Sequence, residues 1–265
     1  MDLGHAGARV IVTGGAANIG RGIAHRFAAE GAKVLVVDID GAQAETVRRE
    51  LLELGAQDAD ALAIDLTAEG AGTEVASRAA QRWGGIDVLV NNAGWSEPGF
   101  FTDQTDRALW QKTIEINLFS AIDCTQAALN VMREARSGSV VFISSDSSAG
   151  VVRQGIYGTT KAGLIALART VAREHGRHGI RSNVIAPGLV VPPDDGGVGP
   201  SSVWARGKDA MFNPDQIDHV LKTQMLRRLT TPDDIGNAVV WISSEVAARQ
   251  VTGQVVAVGG GSFMP

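Results

Sequence analysis

Short runs rich in Val and Ile recur along the chain at "ARVIVTGG", "KVLVVDI", "DALAID", "IDVLVNNAG", "GSVVFISS", "IRSNVIAPG" and "GQVVAVGG". Most are apolar throughout instead of alternating with polar residues, the pattern of strands covered on both faces. Between them lie longer segments with helical spacing, among them "GRGIAHRFAAEGA", "GAQAETVRRELLELGA" and "AEGAGTEVASRAAQRWGG". Several of these close on a glycine suited to the left-handed position that ends a helix. The alternation persists from residue 9 to about 187 without a linker. It predicts an α/β fold: one Rossmann-type domain over residues 1–265, a doubly wound parallel sheet of about seven strands with helices on both faces.

The rhythm breaks between Pro187 and Thr231, where "PGLVVPPDDGGVGPSSVWARGKDAMF" is dense in Pro, Gly and Asp and too long for a routine connector. A substrate loop is expected there, at about 188–231, with a helix in "NPDQIDHVLKTQML". The last helix, "TPDDIGNAVVWISSEVA", should open with Thr231 as N-cap and Pro232 as its first residue.

Charge and cysteine content narrow the partners. With 45% hydrophobic and 20% charged residues, 265 residues can bury a sizeable core. The net charge is -5 and the 24 Lys and Arg are scattered, so no basic stripe offers itself to nucleic acid or an anionic membrane. A small molecule is the expected partner. The lone Cys124 cannot form an internal disulfide, the opening "MDLGHAGARV" lacks a secretory apolar core, and no apolar run approaches the ~20 residues of a membrane span. These point to a cytoplasmic setting. The histidines His5, His25, His175, His178 and His219 have no partners at ligand spacing, and no metal site is expected.

The first strand turns at once into a helix through "TGGAANIGRGIA". Such a turn aims free helix N–H groups and the positive dipole end at one point, where a pyrophosphate fits. Gly14 and Gly20 permit close backbone approach. A glycine turn alone is equally a tight connection; Asp38, at the end of the second strand, changes the odds. An acidic residue ~20 positions past the turn can bind the ribose hydroxyls of NAD and would repel the 2′-phosphate of NADP. Residues 15 to 17, "GAA", offer no cation for that phosphate, so the expected cofactor is NAD.

Tyr157, the only tyrosine, lies four residues before Lys161 in "GIYGTTKAG", so the two share a helix face. A cation ~4 Å away at an effective dielectric of ~20 contributes roughly 4 kcal/mol, at most about three pKa units, less the cost of desolvating the phenolate. The expectation is a phenol titrating at about 7 to 8, where acid–base catalysis works best. The same pair also occurs on ordinary solvated helix faces, so its position and company must decide.

In order and spacing, the motifs "TGGAANIG", Asp38, "DL" at 65 to 66, "NNAG" at 91 to 94, Asn117 in "IEINLFS", "ISS" at 143 to 145, "YGTTK" at 157 to 161 and "PG" at 187 to 188 resemble a classical short-chain dehydrogenase/reductase. The resemblance runs from Arg9 to about Gly261. It implies that Tyr157 is the general acid–base residue, that Lys161 lowers its pKa and binds the nicotinamide ribose, and that Asn117 positions a water in a proton relay. A serine at the end of the fifth strand would hold the substrate oxygen. Ser144 has the usual spacing to Tyr157, whereas Ser145 better matches the usual second serine of the pair; both stay open, with Ser145 preferred. The implied cofactor set is Gly14, Asn18, Ile19, Gly20, Asp38, Ile39, Asp65, Leu66, Asn91, Ala93, Gly94, Tyr157, Lys161, Pro187, Gly188 and Val190. Two departures stand out: Asn18 replaces the middle glycine of the first motif, where Asn tolerates left-handed backbone, and Pro192 replaces a threonine that often follows "PG".

Trp95, Phe100, Phe101, Trp204, Met211, Phe212 and Met225 suit an apolar roof over a ring or branched hydrocarbon, or else a lid core or subunit interface. "NNAGW" and "GQVVAVGGGSFM" are similar to dehydrogenases of cyclic or aromatic hydroxyacyl-CoA thioesters, with Arg206, Lys208, Lys222, Arg227 and Arg228 as candidate phosphate contacts against nearby Asp194 and Asp195. The resemblance also implies a homo-oligomer, a dimer or tetramer. The expected activity is NAD-dependent interconversion of a secondary alcohol and a ketone. The alternatives are a non-catalytic NAD-binding partner subunit and an epimerase or dehydratase of the extended branch, for which this chain has little room.

Overall fold

The computed structural model describes residues 2–192 and 214–265. All seven apolar runs form strands: β1 (Arg9–Thr13), β2 (Lys33–Asp38), β3 (Asp58–Ala63), β4 (Val88–Asn91), β5 (Gly138–Ile143), β6 (Ile180–Pro187) and β7 (Val255–Val258). They pair in the order β3-β2-β1-β4-β5-β6-β7, every neighbour parallel. The helices are α1 (Asn18–Ala29), α2 (Gly41–Glu53), α3 (Ala71–Trp83), α4 (Arg107–Ile114), α5 (Ser120–Ala135), α6 (Gly155–His175), α7 (Pro214–Thr223) and α8 (Pro232–Ser243). A π-helical turn, Glu115–Phe119, joins α4 to α5.

Strand side chains alternate between two cores, as the period of two requires. Val10, Val12, Val34 and Val36 pack with α1, α2 and α8 through Ile23, Phe27, Leu51 and Ile235. Ile11, Leu35 and Val37 pack with α3, α5 and α6 through Val75, Ala128 and Leu164. Each fully buried Leu, Ile or Phe contributes about 1.5–3 kcal/mol relative to exposure. The one shifted element is β3, which begins at Asp58, two residues before the apolar run. Its register against β2, Lys33↔Asp58 to Asp38↔Ala63, places two carboxylates on this edge strand. There Asp58 pairs with Arg82 and Asp60 with Arg78, so ion pairs blunt the edge.

Thr231 caps α8: its side chain accepts from Asp234 N–H at 3.2 Å, while Asp234 Oδ2 accepts from Thr231 N–H at 2.9 Å, with Pro232 in the first turn. Opposite it, α1 approaches so closely that a Cβ on Gly22 would stand 2.8 Å from the Pro232 carbonyl carbon and oxygen. Helix propensity alone would make Gly22→Ala stabilising by about 1 kcal/mol. The crowding should reverse that sign, and a net loss of about 1–3 kcal/mol in urea denaturation is expected. A neutral or stabilising result would show that α1 and α8 can separate freely.

Candidate active site

The crossovers run in opposite directions from β1 and β4, and the carboxyl ends of these adjacent strands open a crevice. β1 enters its turn at Gly14 with φ +59°, and Asn18 adopts φ 41°, so the left-handed turn persists without the middle glycine. A Cβ on Gly14 would lie 2.9 Å from Ala93 Cα, and one on Gly20 would strike the Gly14 carbonyl. Asn92 ties the two strand ends together. Its Nδ2 donates to the Thr13 and Gly14 carbonyls, both at 2.9 Å, while Thr13 Oγ1 accepts from Asn92 N–H at 3.0 Å and Ala93 N–H at 3.1 Å. No side chain caps α1 at Ala17, and Asn18 Oδ1 is buried without a partner among the described residues.

Asp38 ends β2 beside this turn. Its Oδ2 accepts from Ala16 N–H at 3.0 Å and its Oδ1 from Asp40 N–H at 3.1 Å. Burial pushes its carboxyl above the ordinary value, opposed by these backbone bonds. Each oxygen keeps a lone pair for a ribose hydroxyl. The glycine cradle, the uncapped helix start and the carboxylate fit NAD, with Asp38 disfavouring a 2′-phosphate.

Tyr157 and Lys161 stand one turn apart near the start of α6. Lys161 is buried, and its Nζ donates to Ile143 O at 3.0 Å and lies 5.6 Å from the Tyr157 ring centre. The two serines separate. Ser144 turns its hydroxyl into α6, donating to Lys161 O at 2.8 Å, whereas Ser145 is the serine that acts on the Tyr157 phenol, opposing the rise in its pKa. Asn117, fully buried in the π-helical turn, donates through Nδ2 to Trp95 O at 2.7 Å and Thr113 O at 2.8 Å, and accepts from Trp95 N–H at 3.0 Å. Gly94 is wedged beside them: a Cβ there would meet Asn117 Oδ1 at 2.8 Å and Lys161 Nζ at 3.3 Å.

The electrostatics correct the expected phenol pKa of about 7 to 8. Although the Tyr157 side chain is only half-buried, burial pushes its pKa up to about 12, with Ser145 opposing and the Asp146 charge adding to the rise. Lys161 is itself brought down to about 8 by burial. Desolvation is the largest cause at both groups, and Lys161 donates to Ile143 O instead of the phenol.

The remaining expected residues divide. Ala93 lies against Gly14, while Ile19 and the exposed Ile39 flank the glycine turn and Asp38 in sequence. Asn91 instead donates to Thr125 Oγ1 at 2.9 Å, which commits its side chain to packing on α5. Asp65 accepts from Thr67 N–H and Oγ1, and Leu66 packs on the second core. Pro187 ends β6, Gly188 N–H bonds to Val258 O at 3.1 Å, and Val190 is buried in the first core. Sequence reasoning passed over Thr13, Asn92 and Asp146; the doubled Asn of "NNAG" was the available signal for the second.

A cavity of about 230 Å³ reaches Tyr157, lined by Pro98, Leu109, Trp110 and Ile156 together with Glu97, Asp103 and Asp106. A larger one, about 420 Å³, lies among Arg133, Arg173 and His175 at the other end of α6, about 27 Å away by helical rise. Phe100, Phe101 and Met225 are exposed and Trp95 is half-buried under Lys112 Nζ. Trp204, Arg206, Lys208, Met211, Phe212, Asp194 and Asp195 lie outside the described residues. Lys222 pairs with Asp218.

A family model described as enoyl-(acyl carrier protein) reductase matches residues 14–262. The chain is 35% identical over 253 residues to the BbsD subunit of (2S)-[(R)-hydroxy(phenyl)methyl]succinyl-CoA dehydrogenase of Thauera aromatica, covering 95% of this chain and 94% of that one. This chain belongs to the short-chain dehydrogenase/reductase family. Another member, cis-4-hydroxycyclohexanecarboxylate dehydrogenase of Sinomonas cyclohexanicum, is 34% identical over 95% of this chain and 94% of its own. A solved 7α-hydroxysteroid dehydrogenase, complexed with NADH and 7-oxo glycochenodeoxycholic acid, superimposes with a TM-score of 0.88 at 31% identity, covering 100% of this chain and 97% of that one. Among the described residues of this short-chain dehydrogenase/reductase, no helix is long and apolar enough to cross a membrane.

Asn92→Ala would leave the Thr13 and Gly14 carbonyls without their amide donor. It should cost about 1–3 kcal/mol in urea denaturation and weaken NAD in calorimetric titration, whereas Asn91→Ala should affect stability alone. Unchanged NAD affinity in Asn92→Ala would remove Asn92 from the cradle.

Proposed function

We propose that residues 1–265 form one catalytic domain that interconverts a secondary alcohol and a ketone with NAD. The placement of Tyr157, Lys161 and Ser145 beside the glycine–Asp38 crevice carries this reading. Bound NAD supplies the hydride acceptor for alcohol oxidation, and NADH the donor for reduction. Gly14, Asn18, Gly20 and Asp38 hold the cofactor, with Ala93 and Gly94 along its path. Tyr157 takes the hydroxyl proton as the carbinol hydrogen leaves with its electron pair, and returns it to the oxygen in reduction. Ser145 holds the substrate oxygen. Lys161, one of whose three donors is used on Ile143 O, keeps two for the cofactor ribose and the proton path. Asn117 fixes Trp95 beside Gly94, which keeps that path in place.

With its phenol pushed up to about 12, Tyr157 rests as the acid, ready to protonate a ketone oxygen. Oxidation needs the phenolate, so its kcat/KM should rise with pH through the alkaline range, and reduction should fall as the phenol is lost. We take the substrate to be apolar and cyclic. Leu109, Trp110 and Ile156 support this, as do the ring-bearing substrates in the names of the relatives. A CoA thioester is the second reading, favoured by the Thauera relative and weakened by the pairing of Lys222 with Asp218.

Formation of the reduced cofactor, NADH from NAD or NADPH from NADP, should be measured across cyclic secondary alcohols, free and as CoA thioesters. Activity should prefer NAD, fall at least ~100-fold in Tyr157→Phe and in Ser145→Ala, and change only a few-fold in Ser144→Ala. Loss in Ser144→Ala with Ser145→Ala active would reverse the serine assignment. NAD binding without turnover on any substrate would favour the partner-subunit alternative.

We also infer a cytoplasmic homo-oligomer, dimer or tetramer, joined through α5 and α6, where Phe119 on the adjoining π-helical turn is 53% exposed. Analytical ultracentrifugation should show an assembly that Phe119→Glu weakens; a monomeric parent would overturn this.

A further inference from the structure

Beyond Ser145 the chain enters a short 3-10 turn, Asp146–Ala149, that packs against the start of α6. Asp146 has no part in the reaction as described so far, yet its Oδ1 accepts the Ser145 hydroxyl proton at 3.0 Å and lies 3.5 Å from Ser147 Oγ. A hydroxyl has one proton. Given to Asp146, it cannot be given to a substrate oxygen, and only lone pairs remain on Ser145. One of these accepts Ser147 N–H at 3.1 Å, and Ser145 also acts on the Tyr157 phenol, lowering its pKa.

We propose that Asp146 is a positioning residue that sets the hydrogen-bond direction of Ser145. With the carboxylate ionised, the Ser145 proton is held on Asp146 and is withheld from the substrate oxygen. With Asp146 protonated, Ser145 is free to donate to a ketone. The inference rests on the dehydrogenase reading above.

The surroundings of the carboxylate suit this role. Facing it are Ser145 and Ser147 from its own segment and Tyr157 from α6, with the cation of Lys161 one turn further on, bonded to Ile143 O. No salt bridge to Asp146 occurs among the described residues. Burial holds its carboxyl above the ordinary value, with the Ser145 and Ser147 bonds opposing, and its charge in turn contributes to the raised phenol. A carboxylate bonded to Ser145, whose charge also acts on the phenol, couples the two titrations.

Tyr157 is the only tyrosine, so ultraviolet phenolate absorbance reports on it alone. Asp146→Asn removes the charge and keeps an acceptor oxygen; Asp146→Ala removes both; Asp146→Glu restores both. With native circular dichroism on the same samples, the phenolate midpoint should fall by roughly half a unit to one unit in the Asn and Ala variants and stay near the parent in the Glu variant. In the Ala variant the freed Ser145 proton should lower KM for the ketone a few-fold, with kcat for reduction falling in the same sense, so that the overall equilibrium constant is unchanged. A midpoint that stays or rises in Asp146→Asn, or a ketone KM that does not fall in Asp146→Ala, would overturn the inference and leave a structural role only. Absent turnover in the parent would instead overturn the dehydrogenase reading, while the absorbance titration would still test the Asp146–Tyr157 coupling.

Discussion

The Asn92 side chain, bridging the carbonyls of Thr13 and Gly14, holds together the two strand ends at which the crossovers part. Those carbonyls follow the last ladder bonds of β1, where the sheet no longer supplies partners, and a buried carbonyl without one is costly. By supplying both donors from β4's end, Asn92 sets the depth of the glycine turn and the start of α1. It also sets the position of Ala93 and Gly94, and through Gly94 the spacing to Asn117 and Lys161. The glycine turn and the Tyr157–Lys161 pair are thus referred to one amide.

Around that point the protein spends burial to gain position. Tyr157, Lys161, Asp38 and Asp146 all depart from their ordinary pKa values, with desolvation the largest cause in each. A group removed from water interacts more strongly with the few charges near it. The Ser145 hydroxyl, placed between Asp146 and Tyr157, is where these effects meet. Four perturbed groups around one crevice are the electrostatic mark of a candidate site for proton transfer.

The scaffold explains why this precision is possible. β4, β5 and β6 are buried along their whole length, so the residues at their ends are set by rigid backbone. α6 brings Tyr157 and Lys161 to the end of β5, and the π-helical turn delivers Asn117 from the next helix over. Close packing of α1 on α8 fixes the helix whose start faces the crevice.

Element type and order were legible in the amino acids because unbroken Val/Ile runs and helical spacing are local signals: all seven strands, the capped α8 and the Asp38 position follow from them. The motif spacing likewise singled out Tyr157, Lys161 and Asn117 as candidates. What spacing cannot carry is side-chain direction. Ser144 and Ser145 are adjacent, and only the meeting of β5 with α6 turns one hydroxyl into Lys161 O and the other toward Tyr157. Asn91 and Asn92 divide in the same way, because successive residues leaving a strand point to opposite faces. The phenol pKa was misjudged for the same reason. A cation four residues away is visible in the sequence, but the loss of water around Tyr157 and Lys161 and the approach of Asp146 exist only once the chain is packed. Local pattern determined the fold and the residue types of the candidate site; tertiary burial decided the surroundings of each.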